Sequence, residues 1–171
     1  MDWWLLFLRI VHIGSAMIWF GGAIIGGFFL SPTAAALGDS AQPFMDHLMR
    51  RRRMGIVFPI VGALTVLAGA ALYWRDSGGL QAAWITSPTG LAFTIGGAAA
   101  IVSFALGFVL VAPSIGAQTA VRNELAASGG APSADQLARL EHADRLMRLA
   151  TRVDLPLILL AGLTMATARY L

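Results

Sequence analysis

A histidine set in an otherwise apolar stretch is the residue here best placed to do chemistry. His12 is the one ionisable side chain between Arg9 and Asp39, nine residues beyond Trp3. That is about 13 Å into a helix rising 1.5 Å per residue. An ionisable group at such depth in a membrane is costly and as a rule turns toward the bundle interior. A neutral imidazole there can ligate haem iron or copper, or relay a proton. It can equally be a core histidine hydrogen-bonded to a neighbouring helix, or face lipid. Arg9, three residues earlier, is expected on the same face at about 9 Å depth. Ser15, Ala16 and Trp19 continue that face.

The other candidates are weaker. His47 and His142 lie beside arginine clusters, and Met45-Asp46-His47-Leu48-Met49 holds thioether and imidazole groups that suit copper(I). On a helix, however, Met45 and Met49 share a face that His47 does not. Met17, five residues past His12, is not stacked on it; Met165, from another span, could reach its depth and form a His/Met pair. Asp154 precedes Pro156 and is expected either to pin an arginine of the Arg50–Arg53 cluster or to relay protons. Those four arginines read as topology determinants and anionic-lipid contacts, with a bidentate phosphate or propionate clamp as the alternative. There is no glycine-rich phosphate loop followed by lysine, no His-Glu-x-x-His and no Gly-x-Ser-x-Gly.

Four membrane helices are needed to carry these groups. Of 171 residues 57% are hydrophobic and 12% charged, about half the charge a soluble domain carries. The absence of cysteine excludes disulfides, thiolate metal sites and iron–sulfur clusters. The first span is expected at about residues 3–30, with Trp3 and Trp4 in the interfacial belt. It reads as a retained helix, because its apolar run exceeds the core of a signal peptide and Asp2 replaces the positive lead. The second span covers about 54–74 and the third about 91–115. The fourth, about 150–170, has only fourteen uncharged residues from Leu155 to Ala168, short of a ~30 Å hydrocarbon core. It spans only if Arg148 and Arg152 snorkel outward. Ser133 is expected to cap an amphipathic extension over about 133–150 that runs on into this span. The fold class is thus all-α, a single four-transmembrane-helix bundle.

All twelve basic residues are arginine, and nine lie in the loops joining spans one to two and three to four. This basic bias is a topology signal rather than a nucleic-acid one. The positive-inside rule puts both termini outside and both long loops in the cytoplasm. Internal repetition is also visible. Gly27-Phe28-Phe29-Leu30-Ser31-Pro32 and Gly107-Phe108-Val109-Leu110-Val111-Ala112-Pro113 each lead to an arginine-bearing loop, then to a helix with proline near its start, Pro59 or Pro156. Two tandem helical hairpins have this look. Glycines such as Gly22 and Gly26 form small-residue seams for close helix packing.

Leu8-Arg9-Ile10-Val11-His12 followed by Ile18-Trp19-Phe20-Gly21-Gly22 resembles the first helix of a bacterial membrane superfamily. It includes the copper-resistance protein D (CopD) domain, integral membrane proteins of unknown function and the HemJ-type protoporphyrinogen oxidases. The likeness is specific over residues 5–32, where Pro32 stands at the helix-closing position, and loose over the rest. It implies a four-helix protein of the bacterial inner membrane with an intramembrane histidine site at His12, neighboured by Arg9 and Trp19. The cofactor implied is haem b in one branch and copper in the other. The chain has no lysine, which the oxidases use beside their histidine, and no second intramembrane histidine. The resemblance therefore points to the uncharacterised CopD-like group. A non-catalytic subunit, docking through its glycine seams into a homo-oligomer or larger membrane complex, is the third expectation.

Overall fold

The computed structural model describes residues 2–171, apart from the side chain of Asp39. Four helical rods of 35, 23, 41 and 37 residues are long and apolar enough to cross a membrane. The described residues contain no strand. The first rod is α1 (Trp3–Ile25), a π-helical turn (Gly26–Leu30) and α2 (Ser31–Leu37). A loop with α3 (Gln42–Asp46) and a second π turn (His47–Arg51) leads to α4 (Met54–Asp76), the second rod. After the short α5 (Ala82–Ile85), the third rod joins α6 (Pro88–Leu106), a π turn (Gly107–Val111) and α7 (Ala112–Ser128). The fourth is α8 (Ala134–Thr167) with a closing 3₁₀ turn (Ala168–Tyr170). Large apolar side chains such as Phe29, Leu67, Val109 and Leu163 stand more than 60% exposed along these rods, the surface of a multi-pass membrane protein.

Helices one and three run on past the ends that their prolines suggest. Pro32 and Pro113 have no N–H, and their rings crowd the carbonyl four residues back. The chain answers by widening the preceding turn. Ser31 N–H reaches back five residues to Gly26 O, and Ala112 N–H to Gly107 O. Beyond the wide turn each helix resumes, stopping at Gly38 (φ +55°) and at Gly129 (φ +63°). The fourth rod is continuous through Pro156, and Ser133 with Gln136 closes a reciprocal capping box at its start.

The rods pair as two antiparallel hairpins, α1 with α4 and α6 with α8. In the first, Gly22 lies under Phe58, Ser15 opposite Thr65 and Gly69 under His12. That register brings Arg53 level with Gly27. In the second, Gly96 lies against Ala161 and Thr164, and Ser103 faces Asp154. Both wide turns therefore mark the arginine-rich edge of the bundle. The Gly22–Gly26 seam is used only in part: Gly22 is covered by Phe58, whereas Gly26 opens onto free space.

The hairpins meet around Ala99, Ala100 and Ala161, against which Trp19 and Leu157 pack. At the opposite end Tyr73 hydrogen-bonds Thr94 Oγ1 at 2.6 Å and packs edge-on against Trp84. Asp2 caps α1 by accepting from Leu5 N–H at 3.1 Å and pairs with Arg75 of α4 at 2.5 Å. These two partners hold its carboxyl below the ordinary carboxylate value. On the arginine-rich side Arg139 pairs with Glu124 at 3.0 Å, Gln118 bonds Asp144 at 2.8 Å, and Arg122 reaches Gln42 and Asp46. The extensions of helices three and four are thereby clasped to each other and to the first loop.

Candidate functional site

His12 lies between α1 and α4, part-buried, with its ring over Gly69. A Cβ at residue 69 would stand 2.8 Å from His12 Cε1, so the imidazole keeps this position because residue 69 is glycine. Nδ1 is 2.8 Å from the backbone oxygen of Thr65. A carbonyl can only accept, so Nδ1 carries the proton and donates it. In the neutral imidazole Nε2 is then the ring nitrogen with the free lone pair. No fully buried side-chain nitrogen or oxygen among the described residues lacks a partner. Nε2 has none, so it is not fully enclosed by the protein.

The same residues lock the two helices together. Thr65 Oγ1 lies 2.9 Å from Ser15 Oγ and 2.8 Å from Val61 O, while Ser15 Oγ–H donates to Val11 O at 2.6 Å. Ser15 and Thr65 are both buried. Carbonyls, two hydroxyls and one ring N–H thus satisfy one another without water. Thr65 is a site residue that the sequence reading missed. Its signal was present, because it is the one polar side chain between Met54 and Leu72.

Arg9 does not share the inward face with His12. Three residues turn a helix about 300°, leaving it some 60° from the histidine, and that offset puts Arg9 on the outside. It is exposed and lines a shallow groove with Asp2, Leu5 and Leu6. Among the described residues it forms no ion pair. Trp19, two turns below His12, does point inward, but to a different place. It sits against Gly62 and meets Phe104 edge-on with centroids 6.0 Å apart, filling the centre where the hairpins join.

Asp154 does not pair with the Arg50–Arg53 cluster. Its Oδ1 accepts from Ser103 Oγ across the second hairpin, because the α6–α8 register turns it to helix three. Arg50, Arg51, Arg52 and Arg53 are exposed, as are His47 and His142.

Haem b would be held by His12, whose Nδ1–H is fixed by a backbone carbonyl and whose Nε2 is not fully enclosed. No second histidine of this chain lies within the spans. A copper site fits less well. Met17 is 71% exposed on the outside of α1, and Met165 packs against Gly96 of α6. No three histidine, aspartate or glutamate side chains gather into a metal cluster among the described residues. The chain matches no family model, no curated protein and no solved structure.

Proposed function

We propose that this is a CopD-like protein of the bacterial inner membrane that binds a redox cofactor, haem b, through His12. The observation that carries the reading is the Nδ1–H bond to Thr65 O. It fixes the tautomer and ring plane and leaves Nε2 as an oriented donor at depth in an apolar setting. Iron-bound histidines are held in this way, by their other ring nitrogen. Arg9, exposed one turn nearer the tryptophan end, would add a positive charge near a group bound there. Bound haem would supply one-electron chemistry. The chain's own part is to orient the imidazole, exclude water from its inner edge and bias the potential with the Arg9 charge. Copper passage is the alternative, less favoured because neither Met17 nor Met165 stands beside His12.

Detergent-purified protein is expected to show a haem absorption band, and His12→Ala to lose it. Thr65→Val keeps the backbone carbonyl and should retain the band. Colourless wild-type protein loaded with haem in vitro, with no spectral change on binding, would defeat the proposal.

A second reading, as a subunit of a homo-oligomer or larger membrane complex, draws on a separate observation. Only 6% of the apolar stretch of helix one is buried, against 17–22% in the other three. Crosslinking through cysteines placed at Met17 and Ile10 tests it: no crosslinked species in native membranes rejects that reading. With both termini outside, as the arginine bias implies, the cofactor lies in the outer half of the bilayer.

A further inference from the structure

Asp154 is a carboxyl inside the bundle with a hydroxyl for company and no cation. Its hydrogen-bond partner is Ser103 Oγ, and none of the ion pairs among the described residues includes it. The surrounding elements set no cation against it. Helix α6 and the π turn Gly107–Val111 carry no ionisable side chain, and α4 has none between Met54 and Leu72. The arginines that precede α4, Arg50–Arg53, stand near the level of Gly27 and Leu155, but they are exposed and none pairs with Asp154. Helix α1 has Arg9 and His12, toward the opposite end, and α7 has its first charge at Arg122. On α8 itself Arg152 and Arg148 stand two and six residues away toward the loop, both exposed.

An ionised carboxylate presents about four lone-pair sites, and in an apolar surround each unmet one is a penalty. Ser103 meets one. A neutral acid asks for much less, since the Ser103 oxygen can accept the acid O–H. Position adds access. Asp154 lies about 3 Å along the helix from Arg152 and about 9 Å from Arg148, and it is only partly buried, so a proton can arrive from the arginine-rich side. We propose that Asp154 with Ser103 is a proton-binding site, in which the carboxyl takes a proton from that side and holds it as the neutral acid within the second hairpin. The site stands independently of any cofactor at His12.

The test is infrared difference spectroscopy of the full-length protein in lipid nanodiscs, titrated from mildly acid to mildly alkaline. At neutral pH a protonated-carboxyl carbonyl stretch is expected, absent in Asp154→Asn and shifted in Ser103→Ala. No such band at neutral pH, or one that survives Asp154→Asn, would overturn the proposal. Thermal unfolding in detergent provides a second readout. The neutral isostere Asp154→Asn should unfold close to wild type at neutral pH. A marked loss would mean that the carboxylate is held as an anion, and the proton site would fall.

Discussion

The two hairpins are built alike and loaded differently. Each has a first helix with a five-residue wide turn that begins at glycine and ends two residues before a proline, at Gly26–Pro32 and Gly107–Pro113. Each has a second helix with an internal proline, Pro59 or Pro156. In the first, the polar groups His12, Ser15 and Thr65 sit toward the tryptophan end, some 20 Å from the wide turn. In the second, Ser103 and Asp154 sit one turn from it, and the level that His12 occupies is closed by Gly96 against Ala161, Thr164 and Met165. The scaffold is repeated, whereas the chemistry is written once in each half at its own depth. The histidine lies toward the tryptophan end of the bundle and the carboxyl toward the arginine-rich end.

Removing what joins the halves should have the largest effect. Trp19→Ala empties the centre against Ala99, Ala100 and Ala161 and is expected to cost about 3 kcal/mol, the low end for a large aromatic because the ring is only part-buried. Unfolding in mixed micelles checks it, and a loss well below 1 kcal/mol would mean that the hairpins are held together elsewhere. Next come the paired glycines. Gly96→Ala drives a methyl toward Thr164 Oγ1 and the fixed backbone oxygen of Ala161, whereas Gly69→Ala meets the His12 ring, which can swing. We expect Gly96→Ala to destabilise by about 1–3 kcal/mol and Gly69→Ala by less. Only Gly69→Ala should alter a haem spectrum, and equal spectral effects would erase the division between the halves.

The smallest effect is that of pH on the clasp outside the membrane. Gln136 and Arg139 hold the Glu124 carboxyl below its ordinary value. A depressed value means stabilisation present above the unfolded carboxylate pKa and lost as pH falls through the folded one. Protection of the amides around residues 124–139, measured against their intrinsic exchange at each pH, should therefore fall in acid, and in Glu124→Gln it should not change with pH. The exposed pair contributes little to global stability.

The spans were legible because charge-free stretches and aromatic ends are local properties of the chain. The capping box was legible for the same reason, since Ser133 and Gln136 are three residues apart. What failed needed another helix or a finer angle. Pro32 reads as a helix end because a missing N–H terminates most helices, while the wide turn that absorbs it leaves no mark in composition. Arg9 was misjudged by a 60° offset. The partners of Asp154 and His12 depend on helix register, which no single segment specifies. In hindsight Thr65, Ser15 and Ser103 had a common sign: each is an isolated hydroxyl in a long apolar run, with no reason to be there unless another span meets it.

The wide turns also set a phase. Each accommodates one residue more than a regular α turn, so the rod beyond it is rotated by about 100° relative to an uninterrupted helix. Deleting a single residue from Gly107–Val111 would leave the membrane half of helix three untouched. It would swing Gln118 and Arg122 away from Asp144, Gln42 and Asp46. A change as slight as an altered hydrogen-bond count in one turn is thus geared to the orientation of everything on the loop side.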